Sequence, residues 1–401
     1  MTTEEVRAQF PQLKRTVYGK PLVYLDNAAT SLRPQSVIDR WTEISAQGTA
    51  NLHRAVHHVA AEATEAYENA RKAVADFINA PETEEVIFTS GATHSLNLAA
   101  FGIGEAFLKD GDEIIIGEGE HHSDIVPWQM LRGRKNIGIK VLPVDENGRL
   151  CVEQLESFIT EKTRLVCVAH ISNVLGLVNP VKAISDICRK HGVLLLVDGA
   201  QGVVHQEVDV RSLGCDFYAF SGHKMYGAPG TGVLWGRRSL LEQIPPMFGG
   251  GEMIETVRWA GSTWAPLPRK FEAGTQNISG TPCFVQAIET LRNMSQDEGI
   301  RDYVYDALQA IDGLRLFGTT ADRSLKVPVF SFYVERAHHE DLALILDKMG
   351  IAVRSGQMCA EPLMDRFGVT GMLRASFAPY NTMQEAEYFV SSLRKAIGML
   401  R

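Results

Sequence analysis

The middle of the chain alternates between short apolar runs and longer segments in which apolar residues recur every three or four positions. The runs have the length of buried strands, and the recurring residues of the longer segments would share one face of a helix. This alternation predicts an α/β fold with a mostly parallel sheet that helices cover on both faces. The predicted strands are 22–25, 86–89, 113–116, 140–143, 164–169, 193–197, 217–220 and 232–235, and the predicted helices are 61–79, 93–108, 123–133, 152–160 and 181–191.

The pattern changes after Phe248, where three glycines at 249–251 and a segment containing Trp and Pro predict a loop or hairpin. A long helix is predicted next, at 283–313, and a compact α+β unit follows it. That unit would contain strands 327–334, 351–354 and 373–378 and helices 340–348 and 384–400. We therefore predict a large domain at 21–282 and a small domain at 283–401, which also takes in the N-terminal segment 1–20.

The composition is that of an ordinary globular protein, with 45% hydrophobic and 22% charged residues. A net charge of −8 gives no support for binding to nucleic acid or to an anionic membrane. No apolar run reaches the ~18 residues of a membrane span, and the N-terminus, with Glu4 and Glu5, lacks the apolar core of a signal peptide. These features predict a cytoplasmic protein.

Six cysteines are scattered along the chain, at positions 151, 167, 188, 215, 283 and 359, and none forms a C-x-x-C pair. This spacing argues against a disulfide framework or a zinc site. Cys167 lies within an apolar strand-like run, as expected of a buried thiol. Cys359 instead lies in a glycine-containing loop between two predicted strands, where a thiol can be exposed, mobile and reactive.

Polar residues follow five of the predicted strands at the point where each strand ends. They are Ser90-Gly91-Ala92-Thr93, Glu120-His121-His122, His170-Ile171-Ser172-Asn173, Asp198-Gly199-Ala200-Gln201 and Ser221-Gly222-His223-Lys224. The carboxyl ends of parallel strands meet at one edge of a sheet, where open α/β folds bind their ligands. The sequence therefore predicts one site that combines a phosphate-type turn, a histidine, an amide, a carboxylate and a lysine.

Three of these features suit a pyridoxal cofactor. Lys224 lies in a turn with several glycines, where an amine that loses solvation becomes the neutral nucleophile of Schiff-base formation. Asp198 follows five apolar residues, and a protonated pyridine nitrogen would balance its charge. The turn that ends at Thr93 opens a helix whose free N–H groups can hold a phosphate. Each feature alone also fits an ordinary surface lysine, strand-end acid or helix cap, and only their joint placement favours a cofactor site.

Four motifs resemble the pyridoxal-phosphate enzymes of the class V aminotransferase group. They are Val197-Asp198-Gly199-Ala200-Gln201, Ser221-Gly222-His223-Lys224-Met225-Tyr226-Gly227, Glu120-His121-His122 and Phe271-Glu272-Ala273-Gly274-Thr275. Two more motifs are similar to those of the group II cysteine desulfurases, the branch of SufS, CsdA and the selenocysteine lyases. These are Arg354-Ser355-Gly356-Gln357-Met358-Cys359-Ala360-Glu361-Pro362 and Leu373-Arg374-Ala375-Ser376. The resemblance covers nearly the whole chain, in the expected order.

The resemblance implies a pyridoxal-phosphate fold of type I, similar to that of aspartate aminotransferase, and pyridoxal 5'-phosphate as the cofactor. Lys224 would hold the cofactor covalently and shuttle protons, and His121 would stack on the ring. The other residues implied to bind the cofactor are Asp198 at the pyridine nitrogen, Gln201 at the ring oxygen, Asn173, and Thr93, Ser221 and His223 at the phosphate, joined by Thr275 from the other subunit of a homodimer.

The implied activity is cysteine desulfuration, in which L-cysteine gives L-alanine and leaves its sulfur as a persulfide on Cys359. Asn173 and Arg374 would hold the substrate carboxylate, because a guanidinium pairs with a carboxylate through two hydrogen bonds. An acceptor protein of the SufE or CsdE type would take the sulfur for iron–sulfur cluster assembly or a related transfer. L-Selenocysteine and cysteine sulfinate are further candidate substrates, and no metal is implied.

Two positions depart from the usual pattern of this branch. Ala92 stands in Ser90-Gly91-Ala92-Thr93-His94 where Arg-Gly-Thr-Thr-Glu is common, so the phosphate turn lacks one hydroxyl. Met358 replaces the histidine that usually precedes the cysteine, and a methionine cannot help to ionise a thiol. The cofactor is still expected to bind, and the reactivity of Cys359 is left open.

Several alternatives also stay open. A selenocysteine lyase would release selenium without an enzymic thiol, whereas a class V aminotransferase or a kynureninase-like hydrolase would give different products. A cofactor-binding regulator or scaffold would lack catalysis altogether. The acceptor protein, the pathway and the balance between sulfur and selenium activity do not follow from the residues.

Overall fold

The computed structural model describes all 401 residues of the chain. Its strands are β1 (Thr16–Val17), β2 (Lys20–Pro21), β3 (Val23–Tyr24), β4 (Val86–Thr89), β5 (Glu113–Gly117), β6 (Gly138–Leu142), β7 (Thr163–Ala169), β8 (Leu194–Asp198), β9 (Phe217–Ser221), β10 (Gly232–Gly236), β11 (Ile254–Arg258), β12 (Gly261–Trp264), β13 (Leu314–Phe317), β14 (Val329–Val334), β15 (Ile351–Ala352), β16 (Arg354–Gly356) and β17 (Met372–Ser376). Its α-helices are α1 (Thr3–Ala8), α2 (Gln35–Gln47), α3 (His58–Phe77), α4 (Ala92–Ala106), α5 (Val126–Arg132), α6 (Leu155–Phe158), α7 (Val181–Lys190), α8 (Gly202–His205), α9 (Val210–Leu213), α10 (Arg238–Leu241), α11 (Phe284–Arg292), α12 (Glu298–Gln309), α13 (His339–Lys348), α14 (Glu361–Phe367) and α15 (Met383–Leu400).

A seven-stranded sheet has the strand order β4-β10-β9-β8-β7-β5-β6. The large unit is the part of the chain built around this sheet. β10 runs antiparallel to both of its neighbours, β4 and β9, and every other pairing in this sheet is parallel. The six strands other than β10 therefore point the same way. The prediction of a mostly parallel sheet is confirmed.

Separate hydrophobic layers cover the two faces of this sheet. In β7, Val166 and Val168 pack into one core cluster, whereas Leu165 and Cys167 pack into another. Successive side chains of a strand point to opposite faces, so a continuous apolar run is what a sheet covered on both sides requires. This leaves the strand ends as the places where polar residues of the sheet can meet a ligand.

A four-stranded antiparallel sheet, β13-β14-β17-β16, organises the C-terminal unit. α12, α13 and α15 pack with it around a second core that contains Phe330, Leu373 and Phe389. The N-terminal segment contacts this unit, because Arg7 donates to Tyr380 O at 2.6 Å and forms an ion pair with Glu385 at 2.8 Å. β3 lies within the range predicted for the large domain, yet it pairs with β15 of the C-terminal unit.

Two predicted elements are wrong. The predicted helix at 283–313 is two helices, because α11 ends at Arg292 and α12 begins at Glu298, where the Asp297 side chain accepts from Gly299 N at 2.8 Å. Such an N-cap stabilises a new helix start. The predicted strand at 351–354 is likewise divided, because β15 pairs with β3 whereas β16 pairs with β17.

The predicted boundary between residues 282 and 283 stays a prediction. α11 packs on α3, and Phe284 and Ile288 belong to the core of the large unit. This packing favours a boundary after Arg292.

α2 and β13 are elements that the hydrophobic pattern did not predict. None of the helices combines the length and apolar character that crossing a membrane would need.

Candidate active site

The carboxyl ends of β5, β7, β8 and β9 bring their polar residues to one edge of the large sheet. β8 ends at Asp198, and a short 3-10 turn, Gly222–Lys224, follows the neighbouring strand β9. His121 follows β5, and Asn173 follows β7. The predicted meeting of these strand ends at one edge is confirmed.

The amine of Lys224 has neither a hydrogen-bond partner nor an ion-pair partner in the chain. Loss of solvation lowers the pKa of this amine, the nearby Asp198 carboxylate opposes the shift, and Arg374 adds to it. A lysine with a lowered pKa supplies more of the neutral amine that condenses with an aldehyde. The site therefore contains a free amine that is suited to Schiff-base formation.

Asp198 is buried at the end of β8, and its Oδ1 accepts a hydrogen bond from Ala200 N at 2.9 Å. Burial raises the pKa of this carboxyl, while Lys224 and the Ala200 N–H lower it. Its second oxygen receives no donor from the protein. A cationic N–H placed against that oxygen would offset the cost of burial, so the residue fits a pyridinium nitrogen.

The imidazole of His121 has a defined tautomer. Its Nδ1 accepts a hydrogen bond from Ser123 N at 3.0 Å, so the neutral ring carries its proton on Nε2. Burial lowers the pKa of His121 to about 4, and the positive charge of Lys224 acts in the same direction. A neutral ring suits stacking on an aromatic cofactor and proton exchange through Nε2.

We expect His121 to stay neutral when the pH is lowered from about 8 to about 5. Its pKa is about 4 instead of 6.5, so the ring gains its proton only as the pH falls through about 4. The measurement is the pH dependence of the imidazole ¹⁵N signals of histidine-labelled protein, with His121→Gln as the variant that assigns the resonance. A midpoint near 6.5 for that resonance would contradict the expectation.

Two buried carboxyl groups lie close to His121 in the sequence. Glu120 Oε2 and Asp124 Oδ2 are buried without a hydrogen-bond partner, while Asp124 Oδ1 accepts from Trp128 Nε1 at 3.1 Å. Burial raises the pKa of both groups, and the charge of Asp124 adds to the shift of Glu120. Burial therefore favours the neutral form of these carboxyl groups, which limits the negative charge that could compete with Asp198.

The turn before α4 presents donors that suit a phosphate. Gly91 has a φ of +149°, a conformation that side-chain-bearing residues rarely adopt. Ala92 N donates to Ser221 Oγ at 2.7 Å, and Thr93 Oγ1 lies 2.7 Å from Ser123 Oγ. α4 is 15 residues long, so its N-terminal N–H groups and dipole favour an anion. The structure brings Thr93 and Ser221 to this turn. Position 92 has a backbone N–H but, because it is an alanine, no side-chain hydroxyl.

Three other predicted cofactor residues make no direct contact with that turn. His223 Nδ1 pairs with Thr30 Oγ1 at 3.1 Å, and Gln201 Nε2 donates to Ala28 O at 2.8 Å. Thr275 is exposed and makes no side-chain hydrogen bond. The roles of His223, Gln201 and Thr275 toward a cofactor stay predictions.

Arg374 lies on β17 with only 3% of its surface exposed, and its Nε has no hydrogen-bond partner. Nη1 donates to Asn173 O at 2.9 Å, and Nη2 donates to Asp26 Oδ1 at 3.4 Å. A buried guanidinium with a free N–H has lost its hydrogen bonds to water, and the protein does not replace all of them. Such a group suits an anionic ligand. Arg374 thus contacts the backbone carbonyl of Asn173, and the role of these two residues as a carboxylate clamp stays a prediction.

Cys359 is exposed, whereas the other five cysteines are buried. It lies between β16 and α14, and Met358 and Cys359 have φ of +54° and +56°. For residues with side chains this conformation costs on the order of 1–3 kcal/mol each. The Met358 side chain is buried in the large core cluster, so the methionine at this position fills a packing role. Charge on Cys359 is near enough to act on the pKa values of Lys224 and Arg374.

His122 and Asp26 are functional candidates that the sequence did not reveal. His122 N donates to Cys359 O at 2.7 Å. Asp26 pairs with Arg354 at 3.1 Å and with Arg374 at 3.4 Å. Asp26 and Arg354 are 328 positions apart, and no spacing or motif signal connects residues at that separation.

A cavity of about 920 Å³ opens beside Lys224. Ala28, Ser376, His205 and Lys326 also line it. His121, Asp198, Cys359 and Arg374 are not among its lining residues. Of the polar strand-end residues named above, Lys224 therefore reaches this cavity, whereas His121 and Asp198 do not line it.

The model of the family described as "Aminotransferase class-V" matches residues 23–389 of this chain. A "Probable cysteine desulfurase" from Vibrio cholerae is 42% identical over 406 residues, which is 100% of this chain and 100% of that protein. A "Cysteine desulfurase" from Serratia proteamaculans is 44% identical over 399 residues, covering 98% of this chain and 97% of that protein.

The similar solved structures are also cysteine desulfurases. The cysteine desulfurase CsdA from Escherichia coli has a TM-score of 0.91 and 36% identity, over 100% of both chains. An apo cysteine desulfurase from Thermococcus onnurineus has a TM-score of 0.93 and 36% identity, over 99% of this chain and 98% of that one. The predicted type I fold is confirmed, and the selenocysteine-lyase and aminotransferase alternatives are not favoured. The chain belongs to the class V aminotransferase family, whose cysteine desulfurase members depend on pyridoxal phosphate.

Proposed function

We propose that this chain is a cysteine desulfurase that uses pyridoxal 5'-phosphate to convert L-cysteine into L-alanine and collects the sulfur as a persulfide on Cys359. One observation carries the proposal. The sole exposed cysteine lies on a loop close enough for its charge to act on the free amine of Lys224 and on the buried guanidinium of Arg374. A simple amino-group transfer has no need of a thiol at this place.

The residues of the sheet edge would hold the cofactor in one orientation. Lys224 would bond its aldehyde carbon, Asp198 would pair with its pyridine nitrogen, and His121 would stack on its ring. Thr93 and Ser221 would bind the phosphate at the start of α4. When bound, the cofactor supplies an electron sink for the bonds at the α-carbon of the substrate.

Proton transfer would use two groups whose pKa values are lowered by burial. The Lys224 amine, with its pKa lowered by loss of solvation, would take a proton from the substrate α-carbon and return one to the product. His121 has its pKa lowered to about 4 and exchanges protons through Nε2. Arg374 and Asn173 would hold the substrate carboxylate during both steps.

Sulfur transfer requires no oxidant or reductant from outside. The Sγ of Cys359, as a thiolate, attacks the sulfur of L-cysteine, so that an S–S bond forms and the C–S bond breaks. The electron pair of the C–S bond stays with the carbon, which then takes a proton. One enzyme thiol and one L-cysteine give one enzyme persulfide and one L-alanine.

The proposal includes a homodimer and a sulfur-acceptor protein of the SufE or CsdE type, which would pass the sulfur to iron–sulfur cluster assembly or a related route. Thr275 is exposed and would reach the phosphate site of the partner subunit. Trp259 and Val257 are exposed on the hairpin formed by β11 and β12, and such apolar surface supports an interface. The exposure of Cys359 supports delivery of sulfur to a second protein.

Replacing Arg374 by lysine is expected to raise the KM for L-cysteine by about 10- to 100-fold, with a smaller change in kcat. Lysine keeps the positive charge and loses the planar pair of donors that a carboxylate needs. Steady-state kinetics of alanine formation measure the effect. Arg323→Lys is the matched control, since Arg323 pairs with Asp306. An unchanged KM in the Arg374 variant would contradict the proposal that Arg374 binds the substrate carboxylate.

The proposed function is tested by incubating the purified protein with L-cysteine and pyridoxal phosphate. Alanine is measured in the solution, and the mass of the peptide that contains Cys359 is measured after rapid quenching and alkylation. Alanine together with one added sulfur atom on that peptide supports the proposal. Alanine without the added sulfur, even at the earliest times, would exclude Cys359 as the acceptor.

A further inference from the structure

The loop that carries Cys359 is held in a conformation that it would not adopt alone. Two consecutive residues with side chains, Met358 and Cys359, have positive φ. Such a conformation persists only where surrounding contacts over-determine it. β16 fixes the start of the loop through its pairing with β17. The remaining contacts must therefore come from elsewhere in the chain.

The large unit binds two successive carbonyl groups of this loop. Asn173 Nδ2 donates to Met358 O at 2.9 Å, and His122 N donates to Cys359 O at 2.7 Å. These donors lie in the segments that follow β7 and β5. The loop of the C-terminal unit is thus fastened directly to the edge of the large sheet.

The ring of His122 makes a second contact with the same segment. Its Nε2 accepts a hydrogen bond from Glu361 N at 3.0 Å. Glu361 is the first residue of α14, and the N-cap residue, Ala360, has no side-chain acceptor of its own. A free N–H at a helix start normally needs such a partner. The His122 ring takes the place of the missing cap and fixes the end of the Cys359 loop.

We propose that His122 is a positioning residue that holds the Cys359 loop against the substrate site. The inference rests on the proposed function, in which Cys359 receives the sulfur of L-cysteine. Nucleophilic attack needs the two sulfur atoms within about 3–3.5 Å and in line, and a misplacement of about 1 Å can cost about 100-fold in rate. In the proposed function His121 would stack on the cofactor, and the next residue along the chain would hold the nucleophile in place. One short turn after β5 would therefore align the cofactor that holds the substrate and the Cys359 thiol that attacks it.

The matched pair of variants is His122→Leu and His122→Gln. Leucine removes the ring acceptor, whereas the Oε1 of glutamine can accept from Glu361 N near the position of Nε2. Both variants keep the backbone N–H that binds Cys359 O. On L-cysteine we expect His122→Leu to lower kcat about tenfold with KM changed by less than about twofold, and His122→Gln to recover to within about threefold of the original kcat.

Selenocysteine separates loop positioning from effects on the cofactor. The weaker C–Se bond lets selenium leave without an enzymic thiol, so kcat of His122→Leu on L-selenocysteine should stay within about twofold of the original protein. The absorbance of the bound cofactor should also be unchanged. Amide hydrogen exchange of peptides covering 354–363 should be faster in His122→Leu and close to the original rate in His122→Gln.

Three results would overturn the inference. They are an unchanged kcat on L-cysteine in His122→Leu, an equal loss on both substrates, and a His122→Gln variant that retains its cofactor but is as slow as His122→Leu. Failure of the proposed function is a different result, because it would be seen in the unmodified protein as a lack of alanine or of sulfur on Cys359. Since the other five cysteines are buried, alkylation of the native protein reports on Cys359 alone in every variant.

Discussion

Replacing Lys224 by alanine is expected to lower the turnover of L-cysteine by at least about 10⁴-fold. Lys224 offers the site a free amine with a lowered pKa. Lys326 is another buried lysine, but its Nζ donates to Leu175 O, so its amine is already engaged by the protein. It is therefore not placed to substitute. Alanine formation measures the loss, and borohydride reduction of the original protein should leave pyridoxyl mass on the peptide that contains Lys224.

Lys224→Arg is the control for charge in this experiment. Arginine keeps a cation beside Asp198 and cannot condense with an aldehyde at neutral pH, because its pKa is above about 12. The arginine variant should be as inactive as the alanine variant and should gain no borohydride-stable adduct. An active arginine variant, or an adduct on a different lysine of the original protein, would contradict both the site and the proposed function.

Replacing Cys359 by serine is expected to lower alanine formation from L-cysteine by about 100-fold or more, with cofactor absorbance unchanged. A serine hydroxyl is too weak an acid and too poor a nucleophile toward sulfur to take its place. Turnover of L-selenocysteine should survive. The persulfide mass should disappear from the Cys359 peptide.

Cys151→Ala is the control for loss of a thiol elsewhere. Burial raises the pKa of Cys151, so the original side chain is not a reactive thiolate and its removal should leave turnover unchanged. A Cys359→Ser variant that still produced alanine from L-cysteine at the original rate would show that the sulfur leaves by another route. The proposed function would then fail at its sulfur-transfer step while the cofactor site could remain.

The local features of the large unit followed from the sequence because they depend on neighbouring residues. Five strands of the central sheet, β4, β5, β7, β8 and β9, are short apolar runs that lead to polar groups, and Asp198 and Lys224 come at the ends of two of these runs. Parallel strands share one carboxyl edge, so the meeting of these groups could be predicted without coordinates. The type I fold and the family followed from the same motifs.

Features that depend on pairing between distant segments could not be predicted in this way. The sequence predicts one strand at 351–354, yet the chain passes there from the pairing with β3 to the pairing with β17. The helix predicted at 283–313 is broken because Asp297 caps a second helix start. Both errors arise because local periodicity does not identify the partner of a strand or the cap of a helix.

By itself, the sequence determined the alternation of strands and helices in the large sheet, the residues at its carboxyl edge and the candidate nucleophile, since each of these is encoded within a few adjacent positions. Only the tertiary structure decided that Arg374 keeps a free Nε and that Asp26 lies between Arg374 and Arg354. It also decided that His122 and Asn173 fasten the Cys359 loop. The physical reason is that hydrogen bonds and burial at this site join segments far apart in the chain, and no local pattern specifies which of them meet.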